Sequence, residues 1–211
     1  METEKSDHVQ ITAAKVISWT FHPLFIPLYG LLIIFAAPTL FWYIPFKVKK
    51  ILFLVLMTNN VLIPLSLIPF LRYRKLIGSW SVEKRNERII PLIAVLILYS
   101  ITTFIMIGLP IPLFVKGFFI STSFLILIVL VITFWWKISL HSAGAGALLG
   151  IVMTLSLRMS VSLTWFLIPA VLISGLVLAS RLKLNMNNPG QVYIGYFTGL
   201  VEMSLFLMLF Q

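Results

Sequence analysis

The chain has 211 residues, 60% of them hydrophobic and only 10% charged, with a formal net charge of +10 and a mean hydropathy of +1.07. A soluble domain of this length cannot bury so much apolar surface, so the composition excludes that class and predicts an all-α, polytopic membrane bundle. The apolar runs are continuous rather than alternating, which argues against a β-barrel. With no cysteine in the chain, disulfide and thiolate chemistry are excluded as well. The basic excess lies at the ends of the apolar runs, so the expected partner is anionic lipid or lipid phosphate rather than nucleic acid. No cofactor or metal is expected.

Residues 1–15 mix Glu2, Glu4, Lys5, Asp7 and Lys15. They lack a short apolar core followed by a small-residue cleavage site, and read as a short solvated tail without a cleaved signal peptide. The first span, 16–40, holds His22-Pro23, Pro27 and Gly30 and should be kinked or broken. Phe41, Trp42 and Tyr43 form an interfacial belt at its far end, followed by Lys47, Lys49 and Lys50. The second span, 51–71, carries Asn59 and Asn60 at mid-depth, as interhelical hydrogen-bond partners or as polar groups on a substrate path.

A polar segment then runs from Arg72 to Arg88, with Arg74, Lys75, Lys84 and Arg85 against Glu83 and Glu87. Two plain apolar spans, 89–107 and 112–136, meet at a tight turn containing Gly108 and Pro110. Trp135 and Trp136 mark the boundary before Lys137-Ile138-Ser139-Leu140-His141, which opens the fifth span, 139–158. Behind His141, Gly146 and Gly150 have the GxxxG spacing that lets a neighbouring helix approach closely. The sixth span, 161–180, has Gly175 and Ala179 in small-xxx-small spacing. After the polar segment 181–191, the seventh span, 192–210, carries Gly195 and Gly199 and one acid, Glu202. Glu202 should face the bundle interior as a neutral hydrogen-bonding group. No linker or repeat is visible, so residues 1–211 read as a single integral-membrane domain.

Counting crossings brings the polar segments together. Two spans separate Arg88 from His141, and two more separate His141 from Arg181, so the chain returns to the same side each time. Arg88, Lys137, His141, Arg181 and Lys183 should therefore lie at one depth on one face. Guanidinium forks bind phosphate, lysine adds a point charge and histidine exchanges protons near neutral pH. That set suits a phosphorylated lipid head group. The alternative is a set of snorkelling, topology-setting charges, with His141 a satisfied polar residue at an interface. The amino-terminal side of a seven-span chain would carry eleven Lys and Arg against five opposite, which places it in the cytoplasm by the positive-inside rule.

The last polar segment resembles the third signature of the type 2 phosphatidic acid phosphatase superfamily, Ser-Arg-x5-His-x3-Asp with a proline two residues after the His and Val-x-x-Gly downstream. Ser180, Arg181, Pro189, Val192 and Gly195 match in register. Ser139-Leu140-His141 is similar to the second signature, Pro-Ser-Gly-His, and Glu87-Arg88-Ile89-Ile90-Pro91 loosely echoes the first. Lys137 to His141, taken with Arg181 to Asn185, resembles a divergent bacterial branch of that superfamily. The resemblance covers about the last 130 residues. It implies a membrane bundle in the bacterial cytoplasmic membrane and a lipid phosphate as substrate. In that superfamily the third-signature His attacks phosphorus, the Asp orients it, and the second-signature His protonates the leaving group.

Carried onto this chain, His141 takes the acid position and Asn187 the nucleophile position, with Gln191 in place of the orienting acid. Arg88, Lys137, Ser139, Arg181 and Lys183 complete the expected binding set. An amide nitrogen has its lone pair delocalised and cannot form a phospho-enzyme, so the binding half of the site persists while the attacking half does not. Three functions remain open: a phosphatase or phosphotransferase that relies on His141, a non-catalytic lipid-phosphate binder, and a transporter suggested by the broken first helix, Asn59, Asn60 and Glu202.

Overall fold

The structure, a computed structural model, describes residues 2–75 and 85–210, with side chains from residue 7 onward. Residues 76–84, including Glu83 and Lys84, lie outside the described residues. Among the described residues the secondary structure is helical throughout: α1 (Glu2–Thr20), α2 (Ile26–Ala36), α3 (Phe46–Leu56), α4 (Ile63–Tyr73), α5 (Arg85–Ile107), α6 (Leu113–Trp135), α7 (Leu140–Met159), α8 (Thr164–Lys183) and α9 (Pro189–Leu209). Seven helical segments are long and apolar enough to cross a membrane, with α1–α2 and α3–α4 each forming one interrupted span. The chain is thus an all-α polytopic bundle.

The first span breaks where its sequence requires. His22 precedes Pro23 and takes an extended conformation (ψ 139°), because the proline ring excludes the helical one. Pro27 then falls in the first turn of α2, where its missing N–H costs nothing. Upstream, the expected solvated tail is helical from Glu2, although it remains exposed from Asp7 to Ala13 and docks only from Ala14. The segment contains no proline or glycine to interrupt a helix.

The second span widens into a π-helical turn at Met57–Leu62. Pro64 cannot donate to the residue-60 carbonyl, and its ring crowds that carbonyl, so the helix expands just before it. The same turn buries Asn60, whose Oδ1 accepts from Thr102 Oγ1 of α5 at 2.6 Å. That is the interhelical role its position suggests.

The core centres on α7, where 72% of the most apolar window is buried against 28–56% in the other spans. Its small face makes this possible. A Cβ at Gly146 would collide with the Tyr196 carbonyl of α9, and one at Gly199 with the Ala143 carbonyl of α7. The two GxxxG pairs therefore lock together, running parallel with backbone against backbone. Gly175 and Ala179 behave differently. Both are exposed, and a Cβ at Gly175 would meet nothing within 4 Å. Their spacing reports no packing seam within the chain.

Glu202 faces inward as expected, between α9 and α6. It is 7% exposed, and its Oε1 accepts from Ser121 Oγ at 2.9 Å. Oε2 is buried with no partner among the described residues, which suits a protonated carboxyl better than an anion at this depth. Glu202→Gln preserves the acceptor for Ser121 and should leave expression and thermal unfolding in detergent within about 1 kcal/mol of wild type. A marked loss of either would mean that the charge is required.

Candidate functional site

Backbone carbonyls gather the three polar segments. Arg85 and Arg88, in the first turn of α5, donate to the carbonyls of Trp135 at the end of α6 (2.6 Å) and Ile138 in the α6–α7 linker (3.2 Å). From that linker, Lys137 Nζ reaches the Met186 carbonyl in the α8–α9 turn at 2.8 Å. Ser139 N donates to the Gln191 carbonyl at 3.2 Å. A Cβ at Gly195 would come within 2.7 Å of the Ser139 carbonyl, so the close packing of α7 on α9 also sets this register. The meeting that the crossing count predicts is thus direct contact.

Arg181 lies at the centre, buried near the end of α8. Its Nε and Nη2 both donate to Asn187 Oδ1 at 3.3 Å, while Nη1 reaches Ser18 Oγ at 3.5 Å. Asn187 Nδ2 donates to Gln191 Oε1 at 3.0 Å, which fixes the amide with its oxygen towards the guanidinium. Gln191 Oε1 also accepts from Asn188 N, and Asn188 Oδ1 from Gln191 N, closing a capping box at the start of α9. Gln191 thus orients the residue-187 side chain, and both groups are neutral.

His141 lies at the mouth of α7, with Nε2 3.1 Å from the Ser18 carbonyl. A carbonyl can only accept, so Nε2 carries a proton. His22 meets His141 edge-to-face, with centroids 5.5 Å apart and planes at 84°. Its Nδ1 accepts from Leu24 N, capping the turn that follows the helix break.

Ser18 and His22 join a site for which the sequence suggested only the later segments. The signal for them is the helix break that His22-Pro23 dictates. Where α1 ends, its last carbonyls lose their partners. Ile17 is satisfied by Phe21 N, Trp19 by His22 N and Thr20 by Tyr29 Oη, and the Ser18 carbonyl falls to His141.

Two expected site residues are placed elsewhere. Lys183 forms an exposed ion pair with Asp7 at 2.7 Å: beyond Arg181 the last turn of α8 points its side chain towards α1. Ser139 is 1% exposed and serves as the N-cap of α7, with its Oγ accepting from Ser142 N and 2.8 Å from Ser142 Oγ. Arg88, Lys137, His141, Arg181, Asn187 and Gln191 are brought together. Among the described residues no group of three His, Asp or Glu is placed to hold a metal. No family model, curated protein or solved structure matches the chain.

Proposed function

We propose that this protein holds the phosphoryl group of a phosphorylated membrane lipid between Arg181 and His141, with Arg88 and Lys137 at the rim. It would do so as a phosphatidic acid phosphatase-like protein without an attacking group. The observation that carries this reading is the Arg181–Asn187 pair. One edge of a buried guanidinium is turned on a single amide oxygen, the geometry in which it binds two phosphoryl oxygens. His141 Nε2 would donate to a third oxygen now replaced by the Ser18 carbonyl. Asn187 can hydrogen-bond the group but has no lone pair with which to attack it.

In detergent, short-chain phosphatidic acid should bind the wild-type chain about ten-fold or more tightly than diacylglycerol, and Arg181→Gln should remove that preference. Equal affinity for the two lipids would sink the proposal. Phosphate release from phosphatidic acid, phosphatidylglycerol phosphate and polyprenyl diphosphate should stay at background, with His141→Ala as control. We place the pocket on the cytoplasmic side of a bacterial inner membrane, on the charge imbalance between the two ends. Reporter fusions after residue 78 and at the carboxyl terminus should then fall on opposite sides; equal sidedness would refute this topology.

A second reading, movement of such a lipid, draws on the packing of the Pro23–Phe25 turn against the Met57–Leu62 π turn. Interrupted helices meeting within a bundle mark transport paths. Reconstituted protein would then transfer labelled phosphatidic acid between leaflets, and the absence of transfer removes that reading.

A further inference from the structure

At the opposite end of the bundle lies a cavity of about 780 Å³, within the range of ligand sites. Two connectors wall it: the α2–α3 segment, with Thr39, Trp42 and Tyr43, and the α7–α8 corner, with Arg158 and Val161. Lys49 Nζ donates to the carbonyls of Phe35 and Trp42 and lies over both rings, which holds the first wall in place.

Arg158 gives this cavity its chemistry. Its Nη2 donates to the Met208 carbonyl near the end of α9, and its Nε is buried with no acceptor among the described residues. Capping a helix end explains one donor of five and supplies no anion. A partly buried guanidinium cannot shed its proton and is costly to hold without an anion. No Asp or Glu side chain forms an ion pair with it among the described residues. Lys47, Lys49, Lys50, Lys116 and Arg158 all belong to this end, whereas the six acidic residues are at 2, 4, 7, 83, 87 and 202.

We propose that this cavity binds the phosphate of an anionic glycerophospholipid from the adjoining leaflet. Arg158 would bind the phosphate, and Trp42 and Tyr43 would flank the head group at the membrane boundary. A zwitterionic lipid brings its own cation into a cluster of five and should bind less well. This site is independent of the function proposed above.

The cysteine-free chain makes a local test simple. Leu40→Cys, at a position 74% exposed on the cavity rim, accepts a single environment-sensitive fluorophore. Phosphatidylglycerol with brominated chains should quench the label at about ten-fold lower concentration than brominated phosphatidylcholine. Arg158→Gln should bring the two curves together, and Arg158→Lys should retain part of the preference. Should the Gln variant fail to fold, the wild-type comparison and the Lys variant still decide. Coincident curves in the wild type, or a phosphatidylglycerol preference that survives in folded Arg158→Gln, would overturn the proposal. Displacement of the brominated phosphatidylglycerol by an equal concentration of inorganic phosphate would overturn the assignment to a lipid.

Discussion

Asn187→His should give the chain weak phosphate release from phosphatidic acid, against none in the wild type, and adding Gln191→Asp should raise the rate by a further ten-fold or so. The reasoning follows the hydrogen bonds. Residue 187 is held by Gln191 on one side at 3.0 Å and faces Arg181 on the other at 3.3 Å. An imidazole there would receive orientation from residue 191 and face a phosphoryl group held by Arg181. Gln191 offers an acceptor without charge, so it orients the ring but stabilises an imidazolium poorly; a carboxylate does both. Measuring phosphate release from the wild type and the two variants tests the series. Robust wild-type turnover that vanishes in His141→Ala would show that another group performs the attack and that the site is not disabled.

The second large effect concerns packing. Gly199→Ala places a methyl group against the Ala143 carbonyl and 3.0 Å from Ala147 N, both backbone atoms that no rotamer change can move. The helices must separate, at a cost of roughly 1–3 kcal/mol, and the Ser139–Gln191 register loosens with them. Thermal unfolding in detergent and phosphatidic acid affinity should therefore both fall. Gly175→Ala, in open space, should change stability by no more than about 0.5 kcal/mol. Similar losses from both variants would mean that glycine content, rather than close approach, sets stability.

Much of this architecture can be read in the sequence, for identifiable reasons. Span positions follow from apolar length, and the inward direction of Glu202 from the cost of a carboxyl in lipid. The meeting of Arg88, Lys137, His141 and Arg181 follows from the parity of crossings. What cannot be read is which apolar face turns inward, because lipid and protein interior are equally apolar and periodicity does not separate them. Gly146 and Gly175 sit in similar small-residue spacings, yet one touches backbone and the other touches nothing. Ser18 illustrates the same gap. Its hydroxyl and carbonyl are ordinary until the chain breaks after Thr20 and packs α1 on α8, 162 residues away from Ser180 in sequence. Lys183 shows the converse: it is adjacent to the site in sequence, but a partner on α1 draws its side chain outward.

The end of α1 has one more consequence. Ser18 presents a carbonyl to His141 and a hydroxyl to Arg181, so in the function proposed above an arriving phosphoryl group would have to exchange with oxygens already in place. The number of hydrogen bonds changes little in such an exchange, and selectivity passes to the difference between acceptors. A neutral lipid gains nothing over Ser18, whereas a phosphate exchanges neutral oxygens for charged ones beside a guanidinium. On the function proposed above, the last turn of α1 would thereby set a threshold of charge that a lipid must exceed before it is retained.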